Sequence, residues 1–180
     1  YRVPHHSAVV QNMLTLHSVT RRRLNEAAVR HSAITAGLPG PHTAVVIGGD
    51  SGPFTFGPKA ARRLALEVSA QALRSGGSLL ITTSARTDPA AVLALRDTLT
   101  APNFFYPWRA NDEVNPYLGI LGLADNIVVT GDSIAMLSEA CATSKPVQIF
   151  DIGGMRNDRM TSRDFRVTGV LYDLLLRWGW

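Results

Sequence analysis

Several features that would assign the chain to a particular class of protein are scarce or absent from its 180 residues. It has a single cysteine, Cys141, which cannot form an internal disulfide and favours or at least permits a reducing compartment. No apolar run reaches the roughly 18 to 20 residues that span a bilayer, so we expect no transmembrane helix. The spacings C-x-x-C, H-E-x-x-H and D-x-D are missing, so we predict no bound metal.

Histidine is missing from most of the chain. None follows position 42, and the histidines present are His5, His6, His17, His31 and His42. Two Gly-Asp-Ser triplets, at 49–51 and 131–133, suggest a serine hydrolase, but that chemistry needs a histidine base near the serine. The glycine-rich stretch after residue 47 is neither a P-loop nor a G-x-G-x-x-G fingerprint. These absences disfavour a hydrolase and the usual mononucleotide and dinucleotide sites.

Positive charge is the feature that is in excess. The net charge is +4 and the pI is near 9.7, which suits nucleic acid, a membrane surface or an anionic small ligand. The basic cluster at 21–23 lacks an aromatic platform and is explained by a solvated helix face, so we predict no nucleic acid partner. Lys59, Arg62 and Arg63 follow the glycine-rich loop and either favour an anionic ligand or form an ordinary polar face.

The hydrophobic pattern predicts strands that alternate with helices. The predicted strands lie at 8–14, 44–47, 78–83, 103–106, 126–130 and 146–150. The predicted helices lie at 20–33, 58–76, 88–99, 115–123, 132–143 and 165–176. This alternation predicts an α/β fold, a Rossmann-like parallel sheet sandwiched by helices. The prolines and glycines at 37–41 mark the best boundary, between the end of a preceding domain (1–40) and a domain at 41–180.

The loops after the predicted strands are the best candidates for a binding site, because parallel sheets bind ligands beyond the carboxyl ends of their strands. The strongest is Gly48-Gly49-Asp50-Ser51-Gly52. Glycines let the backbone approach a ligand, and free N–H groups with a serine hydroxyl suit phosphate. The alternative is a tight strand-to-helix turn without a ligand.

The stretch Thr130-Gly131-Asp132-Ser133 is a second candidate, at the start of a predicted helix. A helix N-terminus attracts phosphate through its unpaired N–H groups and its dipole. Asp132 or Ser133 is the N-cap, and for the aspartate capping is the favoured role. On this helix Met136, Leu137, Ala140 and Cys141 form the predicted buried stripe, whereas Glu139 falls off it and can reach the cleft or solvent.

Four motifs in order resemble the plant elongated-mitochondria fission-factor family and its bacterial relatives. They are I-G-G-D-S at 47–51, T-T-S at 82–84, N-P-Y at 115–117 and T-x-D-S-x-x-M-x-S-E-A at 130–140. Leu14-Thr15-Leu16-His17 is similar to that family's L-T-L-G segment, with histidine replacing glycine. Val114 replaces an acidic residue and Ser144 a glycine. The segment 130–150 also resembles the donor-binding segment of GT-B glycosyltransferases.

This resemblance implies the C-terminal, donor-side domain of a GT-B glycosyltransferase that binds a nucleotide-sugar without metal or other cofactor. Ser51, Gly52 and Ser133 would face the diphosphate, Glu139 would bind the ribose, and Thr83 and Ser84 would line the cleft. The full set of implied donor-binding residues is Gly48, Gly49, Asp50, Ser51, Gly52, Thr83, Ser84, Asn115, Thr130, Asp132, Ser133 and Glu139. No catalytic base is identified, because in the GT-B enzymes that the chain resembles the base comes from the N-terminal domain or from the cleft between the domains.

Two alternatives stay open at this point. One is a non-catalytic interaction protein related to the fission factors, and the other is a nucleotide-sugar epimerase of the same fold. The resemblance implies that the chain is about half of an enzyme. It also implies a cytoplasmic location, with peripheral attachment at the inner membrane if the acceptor is membrane-associated.

Overall fold

The computed structural model describes residues 15–51 and 55–152. The predicted strand at 8–14, the predicted helix at 165–176 and Gly52 lie outside the described residues. Within them, strands and helices alternate as the sequence predicts. The elements are α1 (Arg21–Arg30), β1 (His42–Val46), α2 (Pro58–Ser75), β2 (Ser78–Thr82), α3 (Pro89–Thr98), β3 (Asn103–Tyr106), α4 (Tyr117–Leu123), β4 (Asn126–Thr130), α5 (Ile134–Cys141) and β5 (Val147–Phe150).

The five strands form one parallel sheet in the order β3-β2-β1-β4-β5. Val45 of β1 is opposite Ile81 of β2 on one side and Val128 of β4 on the other. The prediction of a Rossmann-like parallel sheet is therefore confirmed. The chain adds strands outward from β1 to β3 and then returns to add β4 on the opposite side of β1. The strand order consequently reverses between β1 and β4.

Alternate residues of the central strands pack on opposite faces of the sheet. Val45 and Ile47 contact the cluster that contains α2 and α3, whereas Ala44 and Val46 contact the cluster that contains α1, α4 and α5. Each of these side chains is at most 1% exposed. Burying a valine or isoleucine contributes about 1.5–3 kcal/mol, which explains the continuous apolar runs of strands covered on both faces.

Short-range signals set the ends of the helices. Thr20 accepts a hydrogen bond from the N–H of Arg23 at 3.3 Å, and Asp88 accepts one from Ala90 at 2.6 Å. Gly76 ends α2 with a φ of 68°, in the left-handed region where a glycine has no steric penalty. The predicted start of α1 at Thr20 and of α3 at Asp88 is confirmed.

The predicted alternative that Ser133 caps α5 is confirmed, whereas the capping role favoured for Asp132 and the burial predicted for Cys141 are wrong. The N-cap is Ser133, whose hydroxyl accepts from the N–H of Met136 at 3.4 Å, and Asp132 turns to a different partner described below. Cys141 is exposed, because the buried residues of α5 are Ser138 and Ala140. Cys141 is the last residue of α5 and does not continue the apolar stripe.

In the two stretches 15–51 and 55–152, no helix has both the length and the apolar character that crossing a bilayer requires.

Candidate functional site

The loops that follow β1 and β4 are joined by hydrogen bonds at the carboxyl edge of the sheet. The N–H of Gly48 donates to the hydroxyl of Thr130 at 2.8 Å, and the N–H of Gly49 donates to Oδ2 of Asp132, also at 2.8 Å. Thr130 and Asp132 are buried. The two stretches that the sequence selected as separate candidates are therefore one structural unit, located where the strand order reverses.

Close packing explains why positions 48 and 49 are glycines. A Cβ on Gly48 would lie 2.0 Å from the Asp132 carboxylate, and a Cβ on Gly49 would lie 2.1 Å from the backbone oxygen of Arg86. Neither distance is physically accessible to a carbon atom. The two glycines are thus required by their protein neighbours, and their N–H groups are bonded within the protein.

The loop after β2 supports the same unit from the other side. The Ser84 hydroxyl donates to the backbone oxygen of Gly48 at 2.7 Å, and the Thr87 hydroxyl donates to the same oxygen. The neighbouring Thr83 accepts from the N–H of Trp108 at 2.9 Å and so ties in the loop after β3. The structure therefore brings Thr83 and Ser84 to the glycine-rich loop as structural partners.

Arg86, in the loop after β2, contacts the loops after β1 and β4. Its guanidinium donates to the backbone oxygen of Asp50 at 3.1 Å and lies 3.6 Å from Oδ2 of Asp132. The Asp132 side chain is fully buried, whereas that of Arg86 is 43% exposed. Oδ1 of Asp132 is buried and has no hydrogen-bond partner in the described part of the chain. Arg86 is thus a half-exposed positive charge beside the loop, balanced on its inner side by a buried carboxylate.

Arg86 ends the loop 82–86 that the strand-end rule predicts to face a ligand, but it is not among the predicted donor-binding residues. The available signal was its place in the loop after a buried strand, two residues beyond the predicted site residue Ser84. The basic residues that the sequence singled out beside the glycine-rich loop lie on α2. Of these, Lys59 and Arg62 are exposed, and the Arg63 guanidinium donates to the backbone oxygen of Asp151 and lies 4.6 Å from the Phe150 ring centroid.

A second group of predicted residues meets between α4 and α5. The hydroxyl of Tyr117, the first residue of α4, donates to Oε2 of Glu139 on α5 at 2.6 Å. Oδ1 of Asn115 accepts from the N–H of Tyr117 at 3.0 Å and so fixes the start of α4. The N-P-Y and S-E-A motifs are therefore in direct contact, although 22 residues separate Tyr117 from Glu139.

Tyr117 is a hydrogen-bond donor at this contact. Burial, the hydrogen bond to Glu139 and the negative charge of that carboxylate all raise the pKa of Tyr117 well above its usual range. The phenol therefore stays protonated at neutral pH and leaves Glu139 as the acceptor. Glu139 itself is half-buried.

A further motif joins this group. The N–H of Thr15 donates to the hydroxyl of Ser138 at 3.1 Å, and Ser138 is fully buried next to Glu139. Thr15, which belongs to the segment similar to a family motif, thus contacts α5.

A groove of about 680 Å³ lies away from both groups. It is bounded by α2 and by the strands β4 and β5, and its lining includes Leu64, Val68 and Phe150. It shares no residue with the predicted donor-binding set. In the described ranges, no three histidine, cysteine, aspartate or glutamate side chains are grouped so that they could hold a metal ion.

The fold and the site together define the class of protein: an α/β domain of the kind found in GT-B glycosyltransferases. The crystal structure of a glycosyl transferase of family 9 from Veillonella parvula matches 87% of this chain and 46% of its own, with a TM-score of 0.50 and 10% identity. The ADP-heptose LPS heptosyltransferase II of E. coli matches 78% of this chain and 41% of its own, with a TM-score of 0.46 and 11% identity. At 10% identity, the first of these establishes the fold alone.

The chain belongs to the mitochondrial fission ELM1 family, whose model matches residues 2–167. The mitochondrial fission protein ELM1 of Arabidopsis thaliana is 33% identical over 148 residues, which are 82% of this chain and 34% of that protein. The uncharacterized protein RP120 of Rickettsia prowazekii is 31% identical over 134 residues, 71% of this chain and 38% of its own. The chain thus spans little more than a third of the length of these curated relatives.

Proposed function

We propose that the chain is the donor-side domain of a metal-independent glycosyltransferase and binds the diphosphate and ribose of a nucleotide-sugar. The observation that carries this proposal is the joining of the loops after β1 and β4 where the strand order reverses. Ligands of open parallel sheets bind in the crevice at that reversal. The sugar, the acceptor and the catalytic base lie outside this proposal.

The geometry narrows the contacts available to a diphosphate. The N–H groups of Gly48, Gly49 and Asp50 are bonded to Thr130, Asp132 and Arg86. A diphosphate would therefore be held by Ser51, by the first turn of α5 after Ser133, and by the exposed side of the Arg86 guanidinium. Thr83, Ser84, Thr130 and Asp132 would hold the loops in place through their hydrogen bonds within the protein.

The start of α5 supplies the electrostatics that such a ligand needs. Ile134 and Ala135 are exposed, so the first turn of α5 lies at the protein surface. The N–H of Met136 is bonded to the Ser133 hydroxyl, and we propose that the N–H groups of Ile134 and Ala135 face the ligand. A helix N-terminus carries about half a positive charge and stabilises an anion there. Together with Arg86, it would offset the charge that develops on the diphosphate as the bond to the sugar breaks, so no metal is required.

We propose that Glu139 binds the ribose. It follows Ser133 on the same helix by about 9 Å, at about 1.5 Å per residue. This separation suits the distance between a diphosphate and the hydroxyls of the adjoining ribose. A carboxylate accepts hydrogen bonds from both hydroxyls of a vicinal diol.

We propose a cytoplasmic location, with peripheral attachment at the inner membrane where the acceptor is membrane-associated.

Calorimetry with a panel of UDP-, GDP- and ADP-sugars tests the proposal on the full-length protein. We expect one nucleotide class to bind, with equal affinity in Mg²⁺ and in EDTA. Glu139→Ala should weaken that binding about 10-fold or more, because a charge-assisted hydrogen bond is lost. Glu67→Ala, an exposed substitution on α2, is the matched control and should have no effect. A folded protein that binds no donor, or that binds only with Mg²⁺, would contradict the proposal.

One observation favours a second candidate, a non-catalytic interaction protein. The glycine-rich loop is explained by its contacts with Asp132 and Arg86, so its glycines do not by themselves require a ligand. The Arabidopsis relative is named for mitochondrial fission and not for a sugar transfer. Absence of binding across the whole nucleotide-sugar panel by folded protein would select this candidate.

A further inference from the structure

We propose that Tyr117 is a positioning residue, which fixes the Glu139 carboxylate so that it accepts hydrogen bonds from the ribose hydroxyls of a nucleoside diphosphate. This inference rests on the proposed function and extends it to a residue outside the predicted donor-binding set. Its basis is the 2.6 Å hydrogen bond from the Tyr117 hydroxyl to Oε2 of Glu139.

The position of the Tyr117 hydroxyl is set by a well-anchored helix. The first turn of α4 is closed by the bond from the N–H of Ile120 to the oxygen of Pro116 at 2.8 Å. Further along α4, a Cβ on Gly119 would lie 2.7 Å from the His31 side chain, and one on Gly122 would lie 2.6 Å from the backbone oxygen of Leu24. The glycines thus allow α4 to pack closely against the segment that contains α1. The phenol therefore has little freedom to move away from α5.

The Glu139 side chain has the conformational freedom that a hydrogen bond from Tyr117 would restrict. Glutamate has three rotatable side-chain bonds, and the Glu139 side chain is only half-buried. A hydrogen bond to Oε2 selects one orientation of the carboxylate before a ligand arrives, which reduces the ordering cost of binding. An ionised carboxylate has about four acceptor positions, so one bond from Tyr117 leaves Oε1 and further lone pairs for a diol.

The protonation of the pair supports the same direction of hydrogen bonding. Because the pKa of Tyr117 is raised above its usual range, the phenol keeps its proton at neutral pH and donates a hydrogen bond to Oε2 of Glu139. The described structure holds a second tyrosine of the same kind, since the Tyr106 hydroxyl donates to Oδ2 of Asp112 near the end of β3. That second pair provides a matched control at a different place in the fold.

The test first finds which of UDP, GDP and ADP binds best to the unmodified protein. It then measures the affinity of Tyr117→Phe for that nucleoside diphosphate (the ribose form) and for its 2′,3′-dideoxy analogue. The substitution keeps the ring and removes one hydroxyl, and its urea midpoint establishes that the protein is folded. We expect about 5- to 10-fold weaker binding of the ribose form and a change within about twofold for the dideoxy form. Tyr106→Phe should leave both affinities unchanged.

Equal losses for both ligands would overturn the inference, because they would show that Tyr117 has only a structural role. An unchanged affinity for the ribose form would overturn it as well. Glu139→Gln separates the two proposals. Suppose that the unmodified protein binds the ribose form more tightly than the dideoxy form, and that Glu139→Gln reduces this preference. If Tyr117→Phe does not reduce it, only the proposed role of Tyr117 is refuted. If the unmodified protein binds none of the three diphosphates, both proposals fail.

Discussion

Replacement of Gly49 by alanine tests the packing of the glycine-rich loop directly. A Cβ at this position would lie 2.1 Å from the backbone oxygen of Arg86, 2.3 Å from its carbonyl carbon and 2.6 Å from the N of Thr87. All three atoms belong to the backbone, so no side-chain rotation relieves the contact. The loops after β1 and β2 would have to separate by about 1 Å.

The separation would disturb specific hydrogen bonds. The N–H of Asp50 donates to the oxygen of Arg86 at 3.3 Å, and the N–H of Gly49 donates to the buried Asp132 carboxylate at 2.8 Å. Overpacking alone costs about 1–3 kcal/mol, and a buried polar group that loses its partner costs about 1–3 kcal/mol. We therefore expect Gly49→Ala to lower the free energy of unfolding by about 3 kcal/mol.

Urea denaturation followed by circular dichroism measures this loss, with Gly131→Ala as the control in the same site. A Cβ on Gly131 would lie 3.4 Å from the Ile149 side chain and 3.5 Å from the Phe150 oxygen, which are ordinary contact distances. We expect the control to change the free energy of unfolding by less than about 0.5 kcal/mol. If Gly49→Ala and Gly131→Ala had the same midpoint, the packing explanation of the loop would be refuted.

Two further predictions concern charge and pH. Arg86→Gln should weaken binding of a nucleoside diphosphate about 10-fold in calorimetry and leave binding of the corresponding nucleoside unchanged, because in the proposed complex the arginine contacts only the phosphates. Equal losses for both ligands would contradict this. Burial and the hydrogen bond to Asp112 raise the pKa of Tyr106 to about 12, and the pKa of Tyr117 is raised as well. The unfolded chain therefore loses these protons first, so stability should be intact below about pH 10 and should fall as pH rises above it. Urea midpoints between about pH 9 and 11 measure this fall, which should be shallower in Tyr117→Phe; an identical pH profile for that variant would contradict the assignment.

Much of the architecture was predictable because its signals are local. Apolar runs with no polar face, such as 44–47, indicated strands covered by helices on both sides. In the structure, residues 44–47 are buried as this pattern predicts. Caps such as Thr20 and Asp88 act over two or three residues, so their effect can be read from neighbours in the sequence. Asp132 shows the limit: it looked like a cap, but a partner 83 residues away competes for its carboxylate.

The candidate site was predictable in outline and not in its connections. The rule that ligands bind beyond the carboxyl ends of parallel strands directed attention to Gly48–Ser51 and Thr130–Ser133, and the structure joins these loops. The rule did not indicate that the N–H groups of Gly48 and Gly49 would be bonded within the protein. It also did not indicate that Arg86 would lie beside Asp132. The family resemblance named Glu139, and only the structure showed the hydroxyl that holds it.

The sequence by itself determined the order and type of the elements and hence the parallel sheet, because hydrophobic period, caps and glycine stops act within a few residues. The tertiary structure alone decided which side chains meet: Thr130 with Gly48, Asp132 with Gly49 and Arg86, and Tyr117 with Glu139. The physical reason is that these pairs depend on the strand order and register and on how closely α4 packs against its neighbours. Those are properties of the whole core, and no local stretch of the chain encodes them.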